Sequence, residues 1–168
     1  MVLKCLRFVS LVCAALAMGV TIAHDLEIPG KDLLGGPEWL TVQNTFYGGF
    51  ALVGGITEVT GLALTGLLAW FLRRQRIAFL LTLFAALCFA GMLAVFAFGN
   101  QPINLQVSSW TPRTVPANWQ VLRNAWDSFH AASSALALLA FLLLLFAILR
   151  DTQPSRSLRE EAMAQKDR

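Results

Sequence analysis

The sequence has two histidines, His24 and His130, and each stands where a long apolar run meets polar residues. Histidine is the side chain whose ordinary proton affinity suits general acid–base work near neutral pH. His24 opens the run His24-Asp25-Leu26-Glu27-Ile28-Pro29-Gly30-Lys31. His24 and Glu27 are three apart and share a face if a helix continues that far; Pro29-Gly30 is expected to end it. His130 closes a stripe of Trp119, Arg123, Trp126 and His130, at steps of four, three and four. That spacing places all four on one helical face. Asp127 follows Arg123 by four, which allows a local ion pair. A stripe facing only water has no use for two tryptophans. An interfacial aromatic belt would use them but would not put Arg and His in the same register. A site-lining face accounts for all four, with a structural belt as the alternative.

Two further groups belong with the histidines. Glu58 lies about twelve residues into an apolar run, roughly 18 Å at 1.5 Å per residue. A bare carboxylate at that depth is costly, so it should face other helices and be paired or protonated, with Thr57, Thr60, Ser133 and Ser134 as candidate partners. The segment Asn100-Gln101-Pro102-Ile103-Asn104, followed by Trp110-Thr111-Pro112 and Pro116-Ala117-Asn118-Trp119, is dense in hydrogen-bonding and aromatic groups. Two histidines and a carboxylate (His24, Glu27 and His130) are also the residue types of a metal site, but their spacing across helices is unconstrained. No phosphate-cradling glycine loop, HExxH, CxxCH or GxSxG is present. Cys5, Cys13 and Cys88 all lie in apolar runs and are read as small apolar residues, without zinc-type spacing.

The elements that must position these groups are helices in lipid. Of 168 residues, 57% are hydrophobic and 14% charged, against about 45–50% and about 25% in soluble domains. Four apolar runs, about 6–24, 47–72, 77–98 and 127–149, approach or exceed the roughly 20 residues that span a bilayer. The expected architecture is all-α: a four-transmembrane-helix antiparallel bundle over residues 1–150 with two longer outer loops, about 25–46 and 99–126. A polar cytoplasmic tail, frayed or disordered, is expected over 151–168. Lys4, Arg7 and Thr21-Ile22-Ala23 weakly resemble a signal peptide and its cleavage site; the polar residues just beyond belong with the rest of the chain and favour a retained span. Ten of the thirteen Lys and Arg residues lie at the N-terminus, in the 73–76 turn and after residue 149, leaving Lys31, Arg113 and Arg123 opposite. The positive-inside rule then places both termini in the cytoplasm, in a bacterial inner membrane. The basic residues flank apolar runs and form no nucleic-acid-binding stripe. Ala51 and Gly55, in a glycine-rich run, have the small-xxx-small spacing of close helix packing within the bundle, with a homo-oligomer face as the alternative.

The pattern resembles a family of small four-helix membrane proteins that takes in the anthrone oxygenases of polyketide pathways. The matching pieces are Ala23 through Lys31, then Gln43 with Tyr47-Gly48-Gly49-Phe50, then Glu58, and above all Asn100 through Asn104 with Trp110, Pro112, Pro116, Trp119, Arg123, Trp126 and His130. The chain departs from that pattern one turn beyond His130, where Ala131 to Ser134 stand in place of an arginine. The resemblance implies a four-helix bundle and oxidation of a hydroxylated aromatic or quinol-type molecule by O2 without a bound metal or flavin. On that reading His130 or His24 acts as base, with Glu27 beside it, and Arg123 holds the developing anion. Trp119 and Trp126 wall the substrate, with Asn100, Asn104, Gln43 and Glu58 as further binding groups. Two other readings stay open: a non-enzymatic membrane subunit whose polar stripe docks a partner or lipid, and a metal- or haem-binding redox protein.

Overall fold

The computed structural model describes residues 1–151; apart from Asp151, the expected polar tail lies outside them. The helices are α1 (Val2–Lys31), α2 (Gly36–Leu72), α3 (Arg76–Val95), α4 (Gln101–Val107) and α5 (Trp119–Asp151), with a π-helical turn, Phe96–Asn100, joining α3 to α4. Among the described residues there is no strand. The α3–π–α4 rod and the three long helices give four rods long and apolar enough to cross a membrane. α1 packs against α2 and α5, and α3 packs against the same two. The bundle is therefore a square, up and down, as the sequence predicts.

The packing is that of a protein whose solvent is lipid. Fully buried positions near the 73–76 turn are largely small, with Ala14, Ala17, Ala85 and Ala140 inside, while Phe8, Leu16, Ile56, Phe84, Leu142 and Phe146 face outward. Lipid gives large apolar side chains no reason to hide, so small residues take the interior and let backbones approach. Phe89, Met92, Leu68 and Leu144 fill what space remains. Buried Thr21, Thr57 and Thr82 return their hydroxyls to backbone carbonyls of their own helices, which satisfies them without a partner helix. At the opposite end a second, aromatic core forms from Trp39, Leu40, Tyr47, Trp119 and Trp126 with Ile103 and Val107.

The helices outrun their apolar stretches at this aromatic end. α1 does not stop at Pro29-Gly30 but continues to Lys31. A proline this late removes one bond, to the Asp25 carbonyl, and the turn still closes through Asp32 N–H to Ile28 O at 2.9 Å and Leu33 N–H to Gly30 O at 3.2 Å. α2 begins at Gly36, with Pro37 and Glu38 in its first turn, where the missing N–H costs nothing and a carboxylate complements the helix dipole. The connection expected over 25–46 therefore shrinks to residues 32–35, and that expected over 99–126 to residues 108–118. The π turn carries Gly99, where a Cβ would come within 2.6 Å of the Phe129 ring. This close approach of α5 seats Asn100 in the interior, 1% exposed.

Candidate functional site

Between the two cores lies a cavity of about 510 Å³ to which all four rods contribute. α1 supplies Thr21 and His24; α2 supplies Gln43, Asn44, Tyr47, Gly48, Phe50, Ala51, Gly55 and Glu58. The α3–π–α4 rod supplies Leu93, Phe96, Asn100, Asn104 and Val107, and α5 supplies Trp126, His130 and Ser133. Small residues on α2 create the space. The packing expected at Ala51 and Gly55 is not made: both line the cavity, and a Cβ added at Gly55 meets nothing within 4 Å.

The structure brings His24 and His130 together. Their ring centroids are 4.3 Å apart, and Trp126 lies 4.0 Å from His130 and 5.1 Å from His24. Tyr47 and Phe50 complete the wall around His24, at 4.6 and 4.9 Å. Neither His24 Nδ1 nor His130 Nδ1, both buried, has a hydrogen bond. Buried polar atoms are normally partnered, so the pair keeps unspent hydrogen-bonding capacity at the cavity wall. Trp126 is fixed from both ends: its Nε1–H donates to Asn104 Oδ1 at 2.8 Å, and its carbonyl accepts from Asn100 Nδ2 at 3.1 Å.

Above the cavity, at the aromatic end, sits a charge cluster in which Lys31 and Asp127 are buried and Glu27 is part-exposed. Lys31 is 4% exposed, with its Nζ 3.3 Å from Asp127 Oδ1 and 3.9 Å from Glu27 Oε2. It also lies over the rings of Trp126 and Tyr47, at 4.8 and 5.5 Å. Tyr47 donates its hydroxyl to Glu27 Oε2 at 2.6 Å, and the same oxygen is 3.8 Å from His24 Nδ1. A lone buried ammonium would be strongly unfavourable; two carboxylates and two ring faces offset its burial.

Of the sequence-derived candidates, His24, Gln43, Glu58, Asn100, Asn104, Trp126 and His130 line the cavity. Glu27 stands just above, reaching it through Tyr47. Trp119 and Arg123 lie elsewhere. Trp119 packs on Trp39 at 5.3 Å, and Arg123 lies 5.2 Å over Trp119 and pairs with Asp32 at 3.1 Å. The local Arg123–Asp127 pair is replaced by Asp127–Lys31 and Arg123–Asp32, because the end of α1 reaches α5 between the two residues. Ser133 shares the cavity wall with Glu58, whereas Thr57 bonds its own backbone. Among the described residues, no three of His, Cys, Asp and Glu are grouped to hold a metal ion; Glu27 directs its carboxylate at Tyr47 and Lys31.

Tyr47, Phe50 and Lys31 are members of the site to which the sequence assigns no role. The signal for Lys31 is present: His24, Glu27 and Lys31 follow steps of three and four, one face of a helix that survives Pro29. No protein-family model, curated protein or solved structure significantly matches the chain.

Proposed function

We propose that this integral membrane protein binds a small hydroxylated aromatic molecule in the cavity and oxidises it with O2, with His130 or His24 as the base. The observation that carries this reading is the facing pair of imidazoles in an aromatic-walled space of about 510 Å³, a volume typical of small-molecule sites. An imidazole takes a proton from an activated methylene between aromatic rings. The resulting carbanion is electron-rich enough to reduce O2 directly. A C–O bond forms and the peroxide is protonated. The O–O bond then breaks as the remaining methylene proton leaves with the outgoing hydroxide as water. Each turnover consumes one O2, releases one water and leaves the methylene carbon as a ketone. Asn104 accepts from Trp126 through its oxygen, which leaves its amide N–H groups for the developing oxyanion. That role passes to Asn104 because the guanidinium of Arg123 is engaged by Asp32.

The charge distribution supports an orientation with the 73–76 turn in the cytoplasm and the cavity towards the outer face of a bacterial inner membrane. Docking of a partner on the α5 stripe has less support, because Trp119, Arg123 and Trp126 are all engaged within the chain.

The test is oxygen consumption by the protein in nanodiscs with an anthrone and with a substituted hydroquinone as probes. Wild type is expected to consume O2 with either probe, giving ketone and water from the anthrone, and from the hydroquinone, deprotonated by the same base, a quinone with O2 reduced to H2O2. His24→Ala and His130→Ala are expected to lose at least about 100-fold of either rate. Equal uptake by wild type and both variants overturns the reading, as does saturable probe binding without any oxygen uptake.

A further inference from the structure

The cavity is open along its α2 flank, where a lipid-soluble ligand would enter. Beyond its aromatic end the bundle is filled by Trp39 and Leu40, 0% and 1% exposed, and by the Lys31–Asp127 pair. The flank is different. Asn44, Gly48, Ala51, Gly55 and Val59 line the cavity and are also exposed at the protein surface. They follow steps of four, three, four and four, a single stripe along α2. Phe96 is likewise both lining and exposed. No side chain covers the stripe, since added Cβ atoms at Gly48 and Gly55 meet nothing within 4 Å.

The part of the slot from Gly55 to Val59 lies at lipid depth. Gly55 stands seventeen residues before Leu72, the last residue of α2, or about 26 Å from the end beside the arginine turn at 1.5 Å per residue. Val59 is about 6 Å deeper. Both fall within a hydrocarbon layer of about 30 Å. Polar groups cluster at the inner wall, where His24, only 4% exposed, carries an Nδ1 without a hydrogen bond. From Gly48 to Val59 the slot itself is apolar.

We infer that the ligand is an amphiphile that enters sideways from the bilayer, its hydroxylated aromatic head lodging against the touching rings of His24 and His130 and its hydrocarbon tail passing out through the slot at Gly55 and Val59 into lipid. This rests on the proposed function for the head group and adds the tail and the route.

The experiment compares two hydroquinone probes in nanodiscs, one bearing a decyl chain and one without it. Binding is read as the tryptophan quenching that disappears in Trp126→Phe, with the decyl probe expressed as its mole fraction in the bilayer. Gly55→Leu fills the slot from a helix position with room for a side chain. Gly49→Leu, one residue from Gly48 but outside the cavity lining and equally open, is the control. Gly55→Leu is expected to weaken the decyl probe at least tenfold and the short probe less than twofold, with Gly49→Leu changing neither. Equal loss of both probes in Gly55→Leu, or loss of neither, overturns the sideways tail while leaving the head-group site standing. Wild type binding neither probe overturns the head-group reading and this inference with it.

Discussion

The imidazoles of His24 and His130, from the first and last long helices, face each other at 4.3 Å in the wall of one cavity. On the proposed reading the two rings serve as one base, and removing one member of such a unit costs about as much as removing both. His24→Phe and His130→Phe are each expected to lower the oxidation rate by about 10²–10⁴. The double variant should be no worse than about threefold below the poorer single. Rates with the anthrone probe check this. Strictly multiplicative losses would show two independent roles and not one shared base.

The Lys31–Asp127 pair, at 3.3 Å with Lys31 4% exposed, should show the asymmetry of buried ion pairs. Lys31→Met leaves Asp127 without its nearest cation, a loss of about 3–5 kcal/mol when one partner of a buried pair is removed. Lys31→Met with Asp127→Leu removes both charges and should recover most of that loss. Unfolding of the detergent-solubilised protein reads the difference. A double variant as unstable as the single would mean that Lys31 acts mainly through Glu27 and the rings of Trp126 and Tyr47.

Much of this arrangement is legible in the sequence, and where legibility fails the causes are physical. Four apolar runs imply the bundle, and two histidines at matching ends of α1 and α5 imply the meeting point. The stripe of Trp119, Arg123, Trp126 and His130 is legible as a face but not as a depth. Its lower half meets the cavity, and its upper half rises past it to Trp39 and Asp32. Pro29 reads as a terminator, which hides Lys31; a proline one turn from a helix end breaks only a bond that end can spare. The small residues of α2 read as packing because spacing alone does not distinguish a helix partner from a hollow. Gly61 has a partner in Phe89 and Gly55 has none.

Asn104 holds Trp126 in place through a 2.8 Å bond from the indole N–H, so Asn104→Leu should loosen the cavity wall and remove the proposed oxyanion donor together. Stranding a part-buried donor costs about 1–3 kcal/mol, read as a lower Tm. Asn104→Gln, which can regain a bond to Trp126, should recover stability before activity, because the amide shifts by a methylene. A Leu variant with wild-type rate would remove Asn104 from the chemistry and leave it a structural role.

Two glycines of α2 make a matched pair for testing how tightly the lower half of the bundle is packed. A Cβ at Gly61 would overlap the ring of Phe89, whereas one at Gly66 meets nothing within 4 Å. Phe89 is 0% exposed and has no free side to rotate towards. Gly61→Ala is therefore expected to destabilise by about 1–3 kcal/mol through overpacking, even after the roughly 0.5–1 kcal/mol that alanine gains over glycine inside a helix. Gly66→Ala keeps that gain without the clash and should be neutral to stabilising. Denaturant titration of both variants in the same detergent gives the comparison. The decisive result is the sign of their difference: if Gly61→Ala proves as stable as Gly66→Ala, α2 and α3 are not in close contact at Phe89.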